Sequence, residues 1–233
     1  MPKPNPYIII SLGGSLIVPK DGIATQFIKD FRRLILTQIK KGRRFILICG
    51  GGTTARQYQN AAAEIVKLTR DDLDWLGIHV TRLNGHLMRT VFRDIAHPRI
   101  ITDPHEPIPN AKLIIAAGWR PGCSTDYDAV LLAQQCDAKT LINLSNITYV
   151  YDKDPRTNKD AKPITTMNWK NFRKQFGGTW HPGLNSPFDP VAAKAASEQD
   201  MQVIIADGAN LKNLEAVIAG EKYVGTTISG NNT

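Results

Sequence analysis

The sequence predicts an α/β protein whose central sheet is mostly parallel and covered by helices on both faces. Three observations carry that expectation: short β-branched runs such as Tyr7 to Leu12 and Phe45 to Cys49, helical repeats such as Phe27, Phe31, Leu34, Ile35 and Ile39 between them, and glycine-rich breaks where strands end. A continuous apolar strand reads as buried on both sides, and strands alternating with helices pair in parallel. Ligands in such folds sit beyond the carboxyl ends of the strands, which is where the polar loops of this chain fall.

Tyr7 to Leu12 opens the sheet and ends at Gly13-Gly14-Ser15. The helix that follows stops at Gly42, and Phe45 to Cys49 completes a β-α-β unit. The stretch from Leu47 to Tyr58 organises the rest: an apolar strand enters Gly50-Gly51-Gly52 and then a helix that carries Arg56. Glycines without Cβ let N–H groups approach an anion closely, the helix N-terminus adds about half a positive charge, and Arg56 offers a forked donor. That helix runs from Thr54 to Leu68, and Leu76, Val80, Leu83, Leu87, Val91 and Ile95 mark the apolar stripe of another, ending before Pro98. Asp103 to Asn110 is a proline-rich loop. Leu113 to Ala117 is the next buried strand, and it leads into the polar segment Gly118 to Asp128 and an alanine- and leucine-rich helix. Thr140 to Leu144 is a further strand, followed by Ser145 to Pro155; Asn168 to Phe176 reads as a short exposed helix. Trp180 to Pro190 is a loop before a helix from Val191 to Gln199, and Val203 to Ala206 and Tyr223 to Ile228 are strands on either side of a helix from Leu211 to Ile218.

A chain of 233 residues with 42% hydrophobic content can bury a substantial core, and a single domain over residues 1–233 is expected. Met1 to Pro6 is polar and proline-broken, unlike a signal peptide, and no apolar run approaches the roughly 20 residues needed to span a bilayer. A cytoplasmic location away from membranes is therefore expected. Cys49, Cys123 and Cys136 are odd in number and form no C-x-x-C pair, and the five histidines lack metal spacing, so reduced thiols and no protein-built metal cluster are expected. The formal charge of +8 suits anionic ligands. Lys40, Lys41, Arg43 and Arg44 form only a short basic cluster without interleaved aromatics, which argues against a nucleic-acid partner. Gly50, Gly52 and Ala55 satisfy the weak dinucleotide pattern G-x-G-x-x-A, but no acid ends a following strand about 20 residues on.

Five motifs occur in one order along nearly the whole chain: Gly13-Gly14-Ser15, Gly50-Gly51-Gly52 with Arg56, Asp74 with Gly77, Ser124-Thr125-Asp126, and Tyr151 with Asp154-Pro155. In that order they resemble the amino acid kinase family, and most of all its prokaryotic, archaeal-type UMP kinases. The resemblance implies a three-layer α/β/α sandwich, magnesium-dependent transfer of the ATP γ-phosphoryl group to UMP, and a homo-oligomer, a hexamer. It implies that Gly13 and Gly14 meet ATP phosphates, that Gly51 meets the UMP phosphate, and that Gly52 and Arg56 lie where the two sets of phosphates face each other. Ser145, Asn146, Tyr151 and Asp154 match the ATP-binding segment, with the tyrosine ring beside the adenine. Asp74 matches the position that binds the acceptor ribose, where a carboxylate accepts from both hydroxyls; its other reading is a first-turn helix charge, as for Asp71 and Asp72. Trp119, Ser124, Thr125 and Asp126 fall on the acceptor side, and Asp126 also reads as an N-cap. Asp189 matches the acid that orients the transferring group, and Lys194 follows one turn later on a phosphate-facing side.

The sequence departs from the family pattern in three places. Ser11 stands where many members carry lysine, so magnesium and another basic residue are expected to supply the missing charge. Asn146-Ile147-Thr148-Tyr149-Val150-Tyr151 replaces Asn-Val-Asp-Gly-Val-Tyr, with loss of an acid and a glycine near the nucleotide. Trp119 replaces the threonine with which UMP kinases read uracil. Two further readings stay open: a kinase of the same family for another acceptor, and an oxyanion storage protein of the same fold that binds ATP without catalysis.

Overall fold

A computed structural model describes residues 5–155, 157–177 and 186–230. Met1 to Pro4 and most of the loop expected from Trp180 to Pro190 lie outside the described residues. Strand β1 (Tyr7–Leu12) leads into the single turn α1 (Gly14–Ile17) and into α2 (Thr25–Lys40), then β2 (Arg44–Cys49). Two long helices follow, α3 (Gly52–Ile65) and α4 (Arg70–Val91), before β3 (Leu113–Ala116), α5 (Thr125–Gln135) and β4 (Thr140–Ser145). The short strands β5 (Val150–Tyr151), β6 (Pro163–Ile164) and β7 (Thr166–Asn168) precede α6 (Trp169–Phe176) and α7 (Pro190–Glu198). The described chain closes with β8 (Gln202–Asp207), α8 (Leu211–Ala219) and β9 (Thr226–Ser229).

The sheet has the order β3-β2-β1-β4-β8-β9-β7. The first five strands are parallel, with Ile10 opposite both Leu47 and Ile142, whereas β9 runs antiparallel to β8 and β7 parallel to β9. β5 and β6 form a separate antiparallel pair. Because side chains alternate across a strand, the continuous apolar runs feed two cores. Ile9, Ile46, Ile114, Leu141 and Val203 pack with α5, α6 and α7 on one face. Ile10, Leu47, Ile115, Ile142 and Ile204 pack with α1, α2, α4 and α8 on the other. Helices on both faces of a mostly parallel sheet give the three-layer sandwich.

Strand order sends the chain from β1 outward to β2 and β3, and from β4 the opposite way to β8. The carboxyl ends of β1 and β4 therefore lie side by side at the switch point, where an open α/β sheet leaves a crevice. There the N–H of Gly13 donates to the carbonyl of Leu144 at 2.8 Å.

Two helices differ from their sequence expectations. The segment read as a short exposed helix, α6, buries Trp169 and Phe172 completely against the sheet, and the Trp169 indole N–H donates to the Met201 carbonyl at 2.9 Å. Its basic and amide residues cover only the outer face. In α4 the buried residues are Ile78, Val80, Thr81, Asn84, Gly85 and Met88; of the expected apolar stripe Val80 is buried and Leu87, Val91 and Ile95 pack against the core, while Leu83 is 63% exposed. The physical reason is the neighbour: this face lies against glycine loops and β3, where small and hydrogen-bonding side chains fit and leucines do not. Gly85, for instance, packs against Ala117 closely enough that a Cβ there would come to 3.3 Å. The last strand begins at Thr226 rather than Tyr223.

Candidate active site

The two glycine loops touch. A Cβ on Gly14 would overlap the backbone of Gly50, Gly51 and Gly52, and a Cβ on Gly52, whose φ is +64°, would overlap Gly14 and Ser15. Only glycine allows this approach and that backbone angle together. The contact brings the first turns of α1 and α3 next to each other, so two sets of unpaired helix N–H groups lie at one place. Asn84, buried on α4, fixes the second loop by donating to the Gly50 carbonyl at 2.8 Å. Arg56 stands exposed one turn into α3, with its guanidinium 3.3 Å from the Thr53 hydroxyl.

On one side of these loops lies the segment after β3. Asp74 accepts from the Gly122 N–H at 2.7 Å and so ties α4 to that segment. The helix-terminal role belongs instead to Asp72, which forms a reciprocal capping box with Thr69. Asp126 is likewise not the N-cap of α5; Ser124 is, accepting from the Tyr127 N–H at 3.2 Å. The Asp126 carboxylate turns back toward the strand ends. Its Oδ1 accepts from the Ser11 hydroxyl at 3.1 Å and from the Asn143 amide at 3.2 Å, and its Oδ2 from the Asp189 N–H at 3.2 Å. Ser11, at the position of the missing lysine, is thus a neutral partner of Asp126.

Asp189 caps α7 by accepting from the Ala192 N–H at 2.7 Å, with Pro190 at the first helical position. It is buried, and its Oδ2 has no hydrogen-bond partner among the described residues. Burial raises its carboxyl above the usual range, opposed by the Ala192 and Val191 N–H groups and by the nearby Ser124 hydroxyl. Enclosure pushes Asp126 up to about 6, aided by the Asp189 charge and opposed by its three donors. Lys194 does not join this group. Its side chain is 66% exposed and lies 3.9 Å from Glu198 on the same helix.

On the other side of the glycine loops, Ser145, Asn146, Thr148, Tyr151, Asp154 and Phe176 line a cleft of about 650 Å³. The Tyr149 and Tyr151 rings meet edge to face at 6.4 Å, and Gln175 donates to the Tyr151 carbonyl at 2.7 Å. The replaced segment from Ile147 to Tyr151 therefore forms the cleft wall with two aromatic rings. Trp119 is half-buried, with the Arg120 guanidinium 4.0 Å from its ring and His105 at 4.7 Å.

Sequence reasoning missed Thr81, Arg82, Asn84 and Asp128, which hold the loops in place. A signal was present: Asp74, Ile78, Thr81 and Gly85 recur at helical spacing, so polar residues share the inward face of α4 with apolar ones.

Residues 6–207 match the amino acid kinase family. Among similar proteins, the uridylate kinase of Methanospirillum hungatei is 33% identical over 230 residues, covering 97% of this chain and 96% of its own. The uridylate kinase of Methanococcus maripaludis is 31% identical over 226 residues, covering 95% and 99%. Among solved structures, uridylate kinase from Archaeoglobus fulgidus superposes with a TM-score of 0.79 at 26% identity, covering 97% of this chain and all of that one. The convergence of glycine loops and buried acids at the switch point is thus built on a known scaffold, and the chain belongs to the amino acid kinase family.

Proposed function

We propose that this chain is a UMP kinase that transfers the γ-phosphoryl group of ATP to UMP, giving UDP and ADP. The observation that carries the reading is the placement of two glycine loops, backbone against backbone, between a nucleotide-sized cleft and an acid-bearing loop, in a chain that matches uridylate kinases over nearly their full length. ATP lies in the cleft lined by Ser145, Asn146, Tyr151 and Asp154, with its phosphates over Gly13, Gly14 and Gly52. UMP lies on the side of Asp74, Trp119 and Ser124 to Asp126, with its phosphate at Gly51 and its ribose at Asp74.

The reaction is an in-line displacement: a UMP phosphate oxygen bonds to the γ-phosphorus as the bond to the bridging oxygen of ADP breaks. The nucleophile is already anionic, so the protein's task is positioning and charge neutralisation rather than proton removal. Helix N-terminal N–H groups and Arg56 supply donors that strengthen as charge builds between the nucleotides. Ser124 and Thr125 offer hydroxyls to the acceptor phosphate. Asp126, held from three directions, keeps its carboxylate fixed beside Ser11 and away from the incoming oxygens.

Magnesium fits this site in one respect. The described residues contain no group of three metal-ligating side chains, but the buried Asp189 Oδ2 lacks a partner. Asp189 would hold the ion together with nucleotide phosphates, the usual arrangement for a cation that keeps several waters. The ion supplies charge neutralisation of the phosphates when bound.

The assembly we propose is a cytoplasmic, single-domain protomer in a homo-oligomer, a hexamer. Exposed apolar side chains along α3 and α4, including Tyr58, Ile65, Trp75 and Leu83, support association of protomers. No helix among the described residues is long and apolar enough to cross a membrane. The catalytic reading is tested by coupled ADP release with ATP and magnesium against UMP, CMP, dTMP, acetylglutamate and carbamate. UMP is expected to be preferred, and ADP release with none of them would refute it.

A further inference from the structure

The peptide unit joining Gly118 to Trp119 is gripped on both edges. Arg82 Nε donates to its carbonyl at 3.1 Å, and its N–H donates to Asp128 Oδ2 at 3.1 Å. The same guanidinium reaches on to the Trp119 carbonyl at 2.8 Å, and the Thr81 hydroxyl accepts from the Gly118 N–H at 2.8 Å. Gly118 leaves no slack, because a Cβ there would stand 2.8 Å from the Thr81 hydroxyl. Four consecutive backbone groups are therefore fixed by three side chains from α4 and α5, immediately before the loop that carries Gly122, Cys123 and Ser124.

Asp128 is an expensive way to satisfy one N–H. It is 1% exposed, and its Oδ1 has no hydrogen-bond partner among the described residues. A buried carboxylate with an unpaired oxygen lowers stability unless an opposite charge compensates, and here the half-buried Arg82 lies across the same peptide. A hydroxyl or a backbone carbonyl would have served for stability alone. What the pair adds is fixed direction: a guanidinium donor fork on one edge and a carboxyl acceptor on the other prevent the peptide from flipping or sliding. Neither side chain is on the open side of the loop, so both act through backbone.

We propose that Arg82 and Asp128 are positioning residues that clamp the Gly118–Trp119 peptide and thereby set the acceptor loop for UMP. The proposal rests on the reading that residues 118–126 receive the acceptor. Trp119, with its ring between Arg120 and His105, then takes its place at the acceptor from a peptide that cannot rotate.

The test uses Asp128→Ala, Arg82→Met, their combination, and Asp128→Asn, which retains an acceptor for the Trp119 N–H. Two readouts are taken on each: steady-state constants in both substrates, and the alkylation rate of Cys123 by peptide mass spectrometry. Each alanine or methionine change should raise KM for UMP about tenfold, the effect of losing one charge-assisted bond, and leave KM for ATP within twofold. The double change should be no worse than the more severe single one, since both remove hold on one peptide. Asp128→Asn should restore most of the UMP affinity. Cys123 should react faster whenever the clamp is broken. Should Asp128→Ala fail to fold, Arg82→Met decides alone. A wild-type KM for UMP in Arg82→Met, or an equal rise for ATP, overturns the clamp. A wild-type protein that does not turn over UMP overturns the acceptor reading instead, and the Cys123 rates still decide whether the loop is clamped.

Discussion

Gly14 and Gly52 lie in direct backbone contact, each occupying the space a Cβ on the other would need. The neighbouring atoms are backbone on both sides and cannot swing away. Gly14→Ala is therefore expected to separate the two loops, to lower stability by about 2 kcal/mol or more, and to abolish turnover. A thermal melt and a turnover assay check this; an active Gly14→Ala protein with unchanged melting would show that the contact is dispensable.

Arg56 and Asp74 should fail in different ways. Arg56 is exposed, with its guanidinium 3.3 Å from the Thr53 hydroxyl of the same helix, so Arg56→Ala should leave melting unchanged and cut kcat by about two to three orders of magnitude. Asp74 already accepts from Gly122, so Asp74→Asn should loosen that tie and weaken ribose binding, raising KM for UMP with little effect on ATP. Altered melting with normal kinetics in either variant would return that residue to a purely structural role.

How much of this was legible in the sequence follows from how local each signal is. The five parallel strands were readable because runs such as Ile9 to Leu12 are buried on both faces and need no partner to identify them. Glycine pairs directly after such strands marked the loops, and the sheet rule put them at one end. The direction of β9 was not readable, since α8 between β8 and β9 is the pattern of a parallel crossover, whereas β9 runs antiparallel to β8. The buried side of α6 was hidden by Lys170, Arg173 and Lys174 between its aromatics. Asp126 read as an N-cap or an acceptor-side residue and Asp128 did not stand out at all, because the partners that define them, Ser11, Asn143, Asp189 and the Trp119 peptide, come from four separate segments.

Stability should depend on pH through Asp128. Burial pushes its carboxyl up to about 7, opposed by the Trp119 N–H and aided by the Asp126 charge, against about 3.9 in an unfolded chain. A raised folded value means that the native state prefers the protonated acid, so this contribution is present below about pH 4 and is lost as pH rises through about 7. Asp128→Asn removes the titration. Its melting temperature relative to wild type should climb between pH 4 and 8, by at most about 4 kcal/mol of stability. A difference that stays flat over this range would show that Asp128 does not titrate there.

Thiol chemistry should separate the three unpaired cysteines. Burial pushes Cys49 up to about 12 and Cys136 up to about 11, while Cys123, in the acceptor loop, is raised by burial and drawn back by Arg120. Because the thiolate is the reactive form, iodoacetamide at pH 8 should modify Cys123 first and Cys49 only on unfolding. Saturating UMP should slow Cys123. Labelling of Cys49 as fast as Cys123 in the folded protein would contradict the packing described here.

The central claim is that a phosphoryl group passes from ATP to UMP across the two touching glycine loops. The most direct measurement is transfer of label from ATP carrying a radioactive γ-phosphate, with magnesium and UMP, followed by separation of the nucleotides. Label should appear in UDP at the rate ADP forms, and Arg56→Ala should slow both together. Label released as inorganic phosphate, or retained in ATP while UMP is left unchanged, would contradict the account.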